Sequence, residues 1–236
     1  MTTEPPPSRV ATLHMHMSEF WSGDLGLTLV TISLCALLFV VTPLREAGVL
    51  GRVFFDVLMV TLMISGSLVV NQSRMATGLT VAAVLTGAAI LVAGRLHPSS
   101  VLHQWGSIFA TITLLLYVRI VLLVMFRGGP VTWSRIQGGV CAYLLIGMAW
   151  ASAYQFVEQR YPGAFQFVTP AVDIDQLTSK LTYFSFGTLT TVGSDIAALH
   201  PFARAMAVAE AIVGQLFPAI FIGALVAMAM QARSKS

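Results

Sequence analysis

The stretch TLTTVGSD, residues 188–195, decides how this chain is read, because it sets three threonines and a glycine inside an otherwise apolar sequence. Threonine is a weak helix former, and glycine tolerates backbone conformations closed to other residues. The stretch therefore predicts irregular backbone. Just before it, residues 175–189 read as a short amphipathic helix with Leu177, Leu181, Tyr183 and Phe184 as its apolar contacts, too short to span a bilayer. Irregular backbone at membrane depth is tolerated only where protein buries it or where it lines a water-filled cavity. A half-helix followed by unwound backbone presents carbonyl oxygens to an ion.

The surrounding sequence supplies that membrane. Of the 236 residues, 56% are hydrophobic and 10% charged, and the mean hydropathy is +0.82, far above that of a soluble domain. A spanning helix needs about 20 mostly apolar residues. Runs at about 25–44, 49–70, 76–93, 101–126, 136–157 and 202–230 meet that length, and a longer, moderately polar connection separates the fifth run from the sixth. The first run follows a polar stretch too long and Pro-rich for a signal peptide's charged start, so it is read as a retained helix. The expected fold is an all-α membrane protein: six transmembrane helices, with a re-entrant helix and irregular segment between helices five and six.

Charge and cysteine narrow the functions open to the chain. The net charge is +3, with Lys and Arg scattered among the loops, so no nucleic-acid partner is implied. With both termini on one side, the basic residues divide evenly between the two faces and leave orientation undecided. Glu158, Asp173, Asp175 and Asp195 all fall in the long connection and give that side a negative mouth. Cys35 and Cys141 sit inside apolar helices and read as small packing residues. No hydrolytic or redox constellation is visible, so an enzyme is not expected, and neither is a cofactor.

Residues 1–24 form a tail that is partly interfacial, anchored by Phe20 and Trp21 after Pro5-Pro6-Pro7. His14, Met15, His16 and Met17 offer soft-metal ligands as the alternative reading of that tail. Residues 25–127 form a four-helix peripheral domain. It has no arginine ladder, since Arg119 and Arg127 are the basic residues of the fourth run, and a voltage sensor needs charges at every third position. Arg119 is expected to pair with an acid such as Asp56. Residues 128–232 form the pore unit, and 233–236 a short tail.

Three segments carry a family resemblance. SFGTLTTVGSDI (185–196) resembles the pore helix and filter of the tetrameric potassium channels, and PFARAMAVAEAIVGQLF (201–217) resembles their inner helix. RIQGGVCAYLLIGMAWASAYQFVE (135–158), followed by PGAF, is similar to the fifth helix of small bacterial six-helix channels of that superfamily. The likeness covers about residues 133–230; for the first four helices it is one of layout. It implies a homotetramer in a lipid bilayer, in a bacterial inner membrane, passing potassium and possibly sodium.

The resemblance also implies roles. The family filter reads T-V-G-Y-G-D, with backbone carbonyls replacing the hydration shell of potassium. Carried across, Thr190, Thr191, Val192, Gly193 and Ser194 form the ion-binding filter, and a monovalent cation sits at Thr191, Val192 and Gly193. The family's Tyr and Gly are represented by Ser194 alone, one residue short. Outer ion sites are then lost or widened, and selectivity for potassium over sodium falls. Asp195 either rings the vestibule or turns behind the filter. Arg204 stands at the outer mouth, where it neutralises Asp195 of its own or a neighbouring subunit. Gly214 and Pro218 form a gate hinge, while Gly223 and Ala224 serve close helix packing. Below the hinge, Phe217, Phe221, Leu225 and Met228 supply apolar side chains for a dewetting gate. Glu210 is an intramembrane carboxyl, a functional candidate or a protonated or hydrogen-bonded tie between the inner and pore helices. The competing reading, resting on the short filter, is a non-conducting structural or regulatory membrane subunit derived from a channel.

Overall fold

In the computed structural model the described residues are 24–46, 86, 87, 89, 100–126 and 132–233. They form helices α1 (Asp24–Ala36), a π-helical turn (Leu37–Val41), α2 (Thr42–Glu46), α3 (Ser100–Met125), α4 (Trp133–Arg160), α5 (Ile174–Leu189) and α6 (Pro201–Arg233). Two short strands, β1 (Phe165–Gln166) and β2 (Ala197–Ala198), complete the set. The second predicted run lies outside the described residues, as do most of the third, Asp56 and the 14–17 stretch. Among the described residues, three helices are long and apolar enough to cross a membrane: Val101–Leu123, Arg135–Arg160 and Pro201–Gln231. A shorter apolar helix runs over Thr31–Leu44. The chain is thus mostly helical, as an all-α membrane protein requires.

The first run was expected to reach about Leu44 and end by Pro43 and Arg45-Glu46, and the described helical path runs through Pro43 to Glu46. Proline has no N–H to donate and its ring crowds the carbonyl four residues earlier. The chain accommodates Pro43 by widening the preceding turn: both the Thr42 backbone N–H and its hydroxyl bond to the Leu37 carbonyl, the latter at 2.9 Å. Leu34, Leu37 and Leu38 then pack on Leu114 of α3 and on Cys141, Leu144, Met148 and Ala149 of α4. Cys141 is a buried packing residue there, with Cys35 against its edge.

α4 stops at Tyr161-Pro162-Gly163, where Gly163 takes a φ of +86° that favours glycine. Glu158 closes this turn by accepting from the N–H groups of Gly163 (2.9 Å) and Phe165 (3.0 Å). β1 then pairs antiparallel with β2, Phe165 opposite Ala198 and Gln166 opposite Ala197. The segment entering α5 is thereby stitched to the segment leaving residues 190–194. A second core gathers behind the stitch from Tyr154, Val157, Phe165, Leu181, Phe184, Ile196 and Ala203.

Candidate functional site

α5 is capped by Asp173, whose side chain accepts from the N–H groups of Asp175 (3.0 Å) and Gln176 (2.9 Å). The cap, with Asp175 in the first turn, complements the positive end of the helix dipole. Lys180 ties the incoming loop to the helix through the Thr169 carbonyl (2.6 Å) and hydroxyl (2.7 Å). With 16 residues, α5 is roughly 24 Å long, short of the ~30 Å hydrocarbon core. A helix of that length does not cross the hydrocarbon core. Its negative, carbonyl-bearing end leads directly into Thr190.

The end of α5 is held by both long helices. The Tyr143 hydroxyl of α4 donates to the Leu189 carbonyl (3.2 Å), satisfying one of the acceptors a helix C-terminus leaves open. From the other side α6 approaches so closely that a Cβ on Gly214 would stand 1.9 Å from the same carbonyl oxygen. Gly214 therefore has a packing reason to lack a side chain, one the sequence did not separate from the hinge expected there. A Cβ on Gly223 meets nothing within 4 Å inside this chain. α6 runs without a break past Pro218, whose missing N–H leaves the Gly214 carbonyl without its helical donor.

Residues 190–194 turn back along α5. Gly193 N–H donates to the Gly187 carbonyl (2.9 Å), and a Cβ on Gly187 would lie 2.5 Å from the Gly193 oxygen. Two residues take positive φ, Thr191 at +60° and Gly193 at +87°. For threonine, a β-branched residue, this is an outlier that its surroundings must hold. Gln215 of α6 provides one hold, its Nε2 donating to Thr191 Oγ1 (2.9 Å). Sequence reading passed over Gln215. Its signal was a carboxamide in the middle of an apolar helix, a group that needs a partner.

The turn out of this segment is closed by Ser194 itself, whose Oγ accepts from the Ile196 N–H (3.3 Å). Ile196, not Asp195, is the residue buried behind it, while the Asp195 side chain is exposed. Among the described residues no ion pair joins Arg204 to Asp195 of the same chain; Arg204 Nε donates to the Ala198 carbonyl (3.0 Å). Nor does any group of three or more His, Cys, Asp and Glu among the described residues stand ready for a metal.

Of the apolar residues expected to supply a dewetting gate, Phe217, Phe221 and Met228 make contacts within the chain. Phe221 rests its ring over Gly139 of α4, Phe217 lies 5.8 Å from Tyr143, and Met228 Sδ meets Arg135 Nη1 at 2.9 Å. These three face the outer helix. A neighbouring side of α6 exposes Ile212, Leu216 and Ile220, a stripe at i, i+4, i+8.

Glu210 is fully buried, with Tyr154 of α4 and Ser185 of α5 each 2.5 Å from one of its oxygens. It joins the three helices that carry the site. By contrast, only 6% of the apolar window of α6 is buried within the chain, and Val192 is 85% exposed.

Residues 140–231 match the model of a family described as ion channel. That span takes in most of α4, all of α5, residues 190–194 and nearly all of α6, less than half of the chain. No curated protein and no solved structure matches the chain. The matched span is the part in which a half-helix ends on exposed, irregular backbone between two membrane-length helices. Match and geometry together support a pore-type ion channel domain integral to a membrane.

Proposed function

We propose that the chain is a subunit of a homotetrameric, potassium-channel-like cation channel, with reduced selectivity for potassium over sodium. The carrying observation is the exposure of residues 190–193 on irregular backbone at the end of a helix too short to span, between two helices of membrane length. Lipid offers no hydrogen bonds to open backbone, so this segment requires an aqueous path enclosed by further copies. A ring of carbonyls needs several identical strands, and closed cyclic symmetry supplies them. The exposed apolar side of α6 gives those copies a surface to pack on.

In this reading the carbonyls of Thr191, Val192 and Gly193 strip potassium of water, and the α5 dipoles aim their negative ends at the cation. Thr190 and Ser194 bound the filter. The turn closed by Ser194 replaces the longer outer half that the family pattern carries, so fewer sites discriminate. Asp195 carboxylates ring the vestibule and concentrate cations, and Arg204 moderates their charge from a neighbouring subunit. Gly214 and Pro218 supply the point at which α6 bends for gating. The setting is a bacterial inner membrane, and the role is transport, not catalysis.

The test is cation flux into liposomes holding the purified protein, under a potassium gradient and then an equal sodium gradient, with Gly193→Asp as control. The expected result is flux of both ions, faster for potassium and abolished in the control. Absence of flux under either gradient would favour the non-conducting subunit that the short filter also suggests.

A further inference from the structure

Glu210, Ser185 and Tyr154 form a chain of contacts whose hydrogens can be counted. Ser185 Oγ lies 2.7 Å from the Gly147 carbonyl oxygen and 2.5 Å from Glu210 Oε1, and Glu210 Oε2 lies 2.5 Å from the Tyr154 hydroxyl. Three oxygen-to-oxygen contacts need three hydrogens. The carbonyl has none, serine has one and tyrosine has one. An ionised carboxylate would leave one contact as two facing lone pairs, which a buried site at this separation does not sustain.

We infer that Glu210 is held as the neutral acid. Its Oε1–H donates to Ser185 Oγ, Ser185 O–H donates to the Gly147 carbonyl, and Tyr154 O–H donates to Oε2. Every hydrogen then has one acceptor. The surroundings suit an uncharged group: Glu210, Ser185 and Tyr154 are each fully buried. The Tyr154 ring is clamped edge-on by Phe165 and Phe184 and stacked by Trp150. An intramembrane charge is costly, whereas a carboxylic acid that both donates and accepts is a directional tie. Glu210 is accordingly a positioning residue. It links α6 to α5 through Ser185 and to α4 through Tyr154, fixing the depth at which α5 ends. The inference does not depend on ion conduction.

Infrared spectroscopy of the full-length protein in lipid at neutral pH tests it. Exposed carboxyl groups are ionised there, so a protonated carboxylic C=O band is expected in the wild type and its loss in Glu210→Gln. Glutamine reproduces the neutral pattern, donating to Ser185 and accepting from Tyr154, so this variant is expected to assemble and melt like the wild type. Glu210→Ala is expected to lose assembly. Should Glu210→Gln fail to fold, Tyr154→Phe assigns the band, because losing the donor to Oε2 moves the C=O stretch to higher frequency. Absence of the band in the wild type overturns the inference. So does a band that persists in Glu210→Gln or stays unmoved in Tyr154→Phe.

Discussion

At the residue scale, the site depends on where side chains are missing as much as on where they are present. A methyl at Gly214 would meet the Leu189 carbonyl at 1.9 Å, and backbone there has no rotamer with which to give way. Gly214→Ala should therefore destabilise the protein by about 1–3 kcal/mol or more, the usual cost of overpacking. Gly223→Ala, with open space in the chain, should change stability by less than about 0.5 kcal/mol. Thermal unfolding followed by size-exclusion chromatography compares the two. Thr191 offers a second check. Its positive φ is supported by the Gln215 bond, worth about 0.5–1.5 kcal/mol net. Gln215→Leu should leave folding nearly intact while lowering cation flux severalfold; flux equal to the wild type would show that the bond does not shape the ion path. The sequence marked residues 188–195 as irregular backbone through residue type, and Thr190 to Asp195 as filter and mouth through the resemblance to tetrameric potassium channels. It did not disclose Gln215 or Ile196, because both act through contacts between segments far apart in the chain.

At the scale of elements, α5 is short and depends on its two ends. The Asp173 cap satisfies two N–H groups at one end, and Tyr143 with Gly214 sets the other. Asp173→Ala should cost about 1 kcal/mol, and Tyr143→Phe about 0.5–1.5 kcal/mol. Denaturant or thermal melts measure both. The two costs should add, since the residues sit at opposite ends of the helix and share no partner. Element positions were largely legible. The expected spans at 101–126, 136–157, 175–189 and 202–230 lie within a few residues of α3, α4, α5 and α6. Apolar length is a local signal, which explains that agreement. The π-helical turn ahead of Pro43 was not legible. A proline reads as a helix end unless the chain has a way to widen the turn, and only the Thr42 to Leu37 bonds reveal that it does. The facing of α6 was also hidden. Its sequence is apolar on all sides, so no stripe announced that Phe217 and Phe221 turn toward α4 while Leu216 and Ile220 stay exposed.

At the scale of the molecule, one chain builds a complete scaffold around an incomplete site. The core around Tyr154, Leu181 and Ala203, the Glu210 tie and the β1–β2 stitch hold α4, α5 and α6 together, yet residues 190–193 and one side of α6 remain uncovered. The proposed assembly around a central axis would cover both, and the match of residues 140–231 to an ion channel family agrees with that use. The central claim is that cations cross the membrane along residues 190–194 and that the short filter sets their choice. The most direct measurement is the reversal potential in a planar bilayer with potassium on one side and an equal concentration of sodium on the other, for the wild type and Gly193→Asp. The account predicts wild-type current that reverses only modestly toward the potassium equilibrium, and no current in Gly193→Asp. Wild-type bilayers without current, or current unchanged by Gly193→Asp, would contradict it.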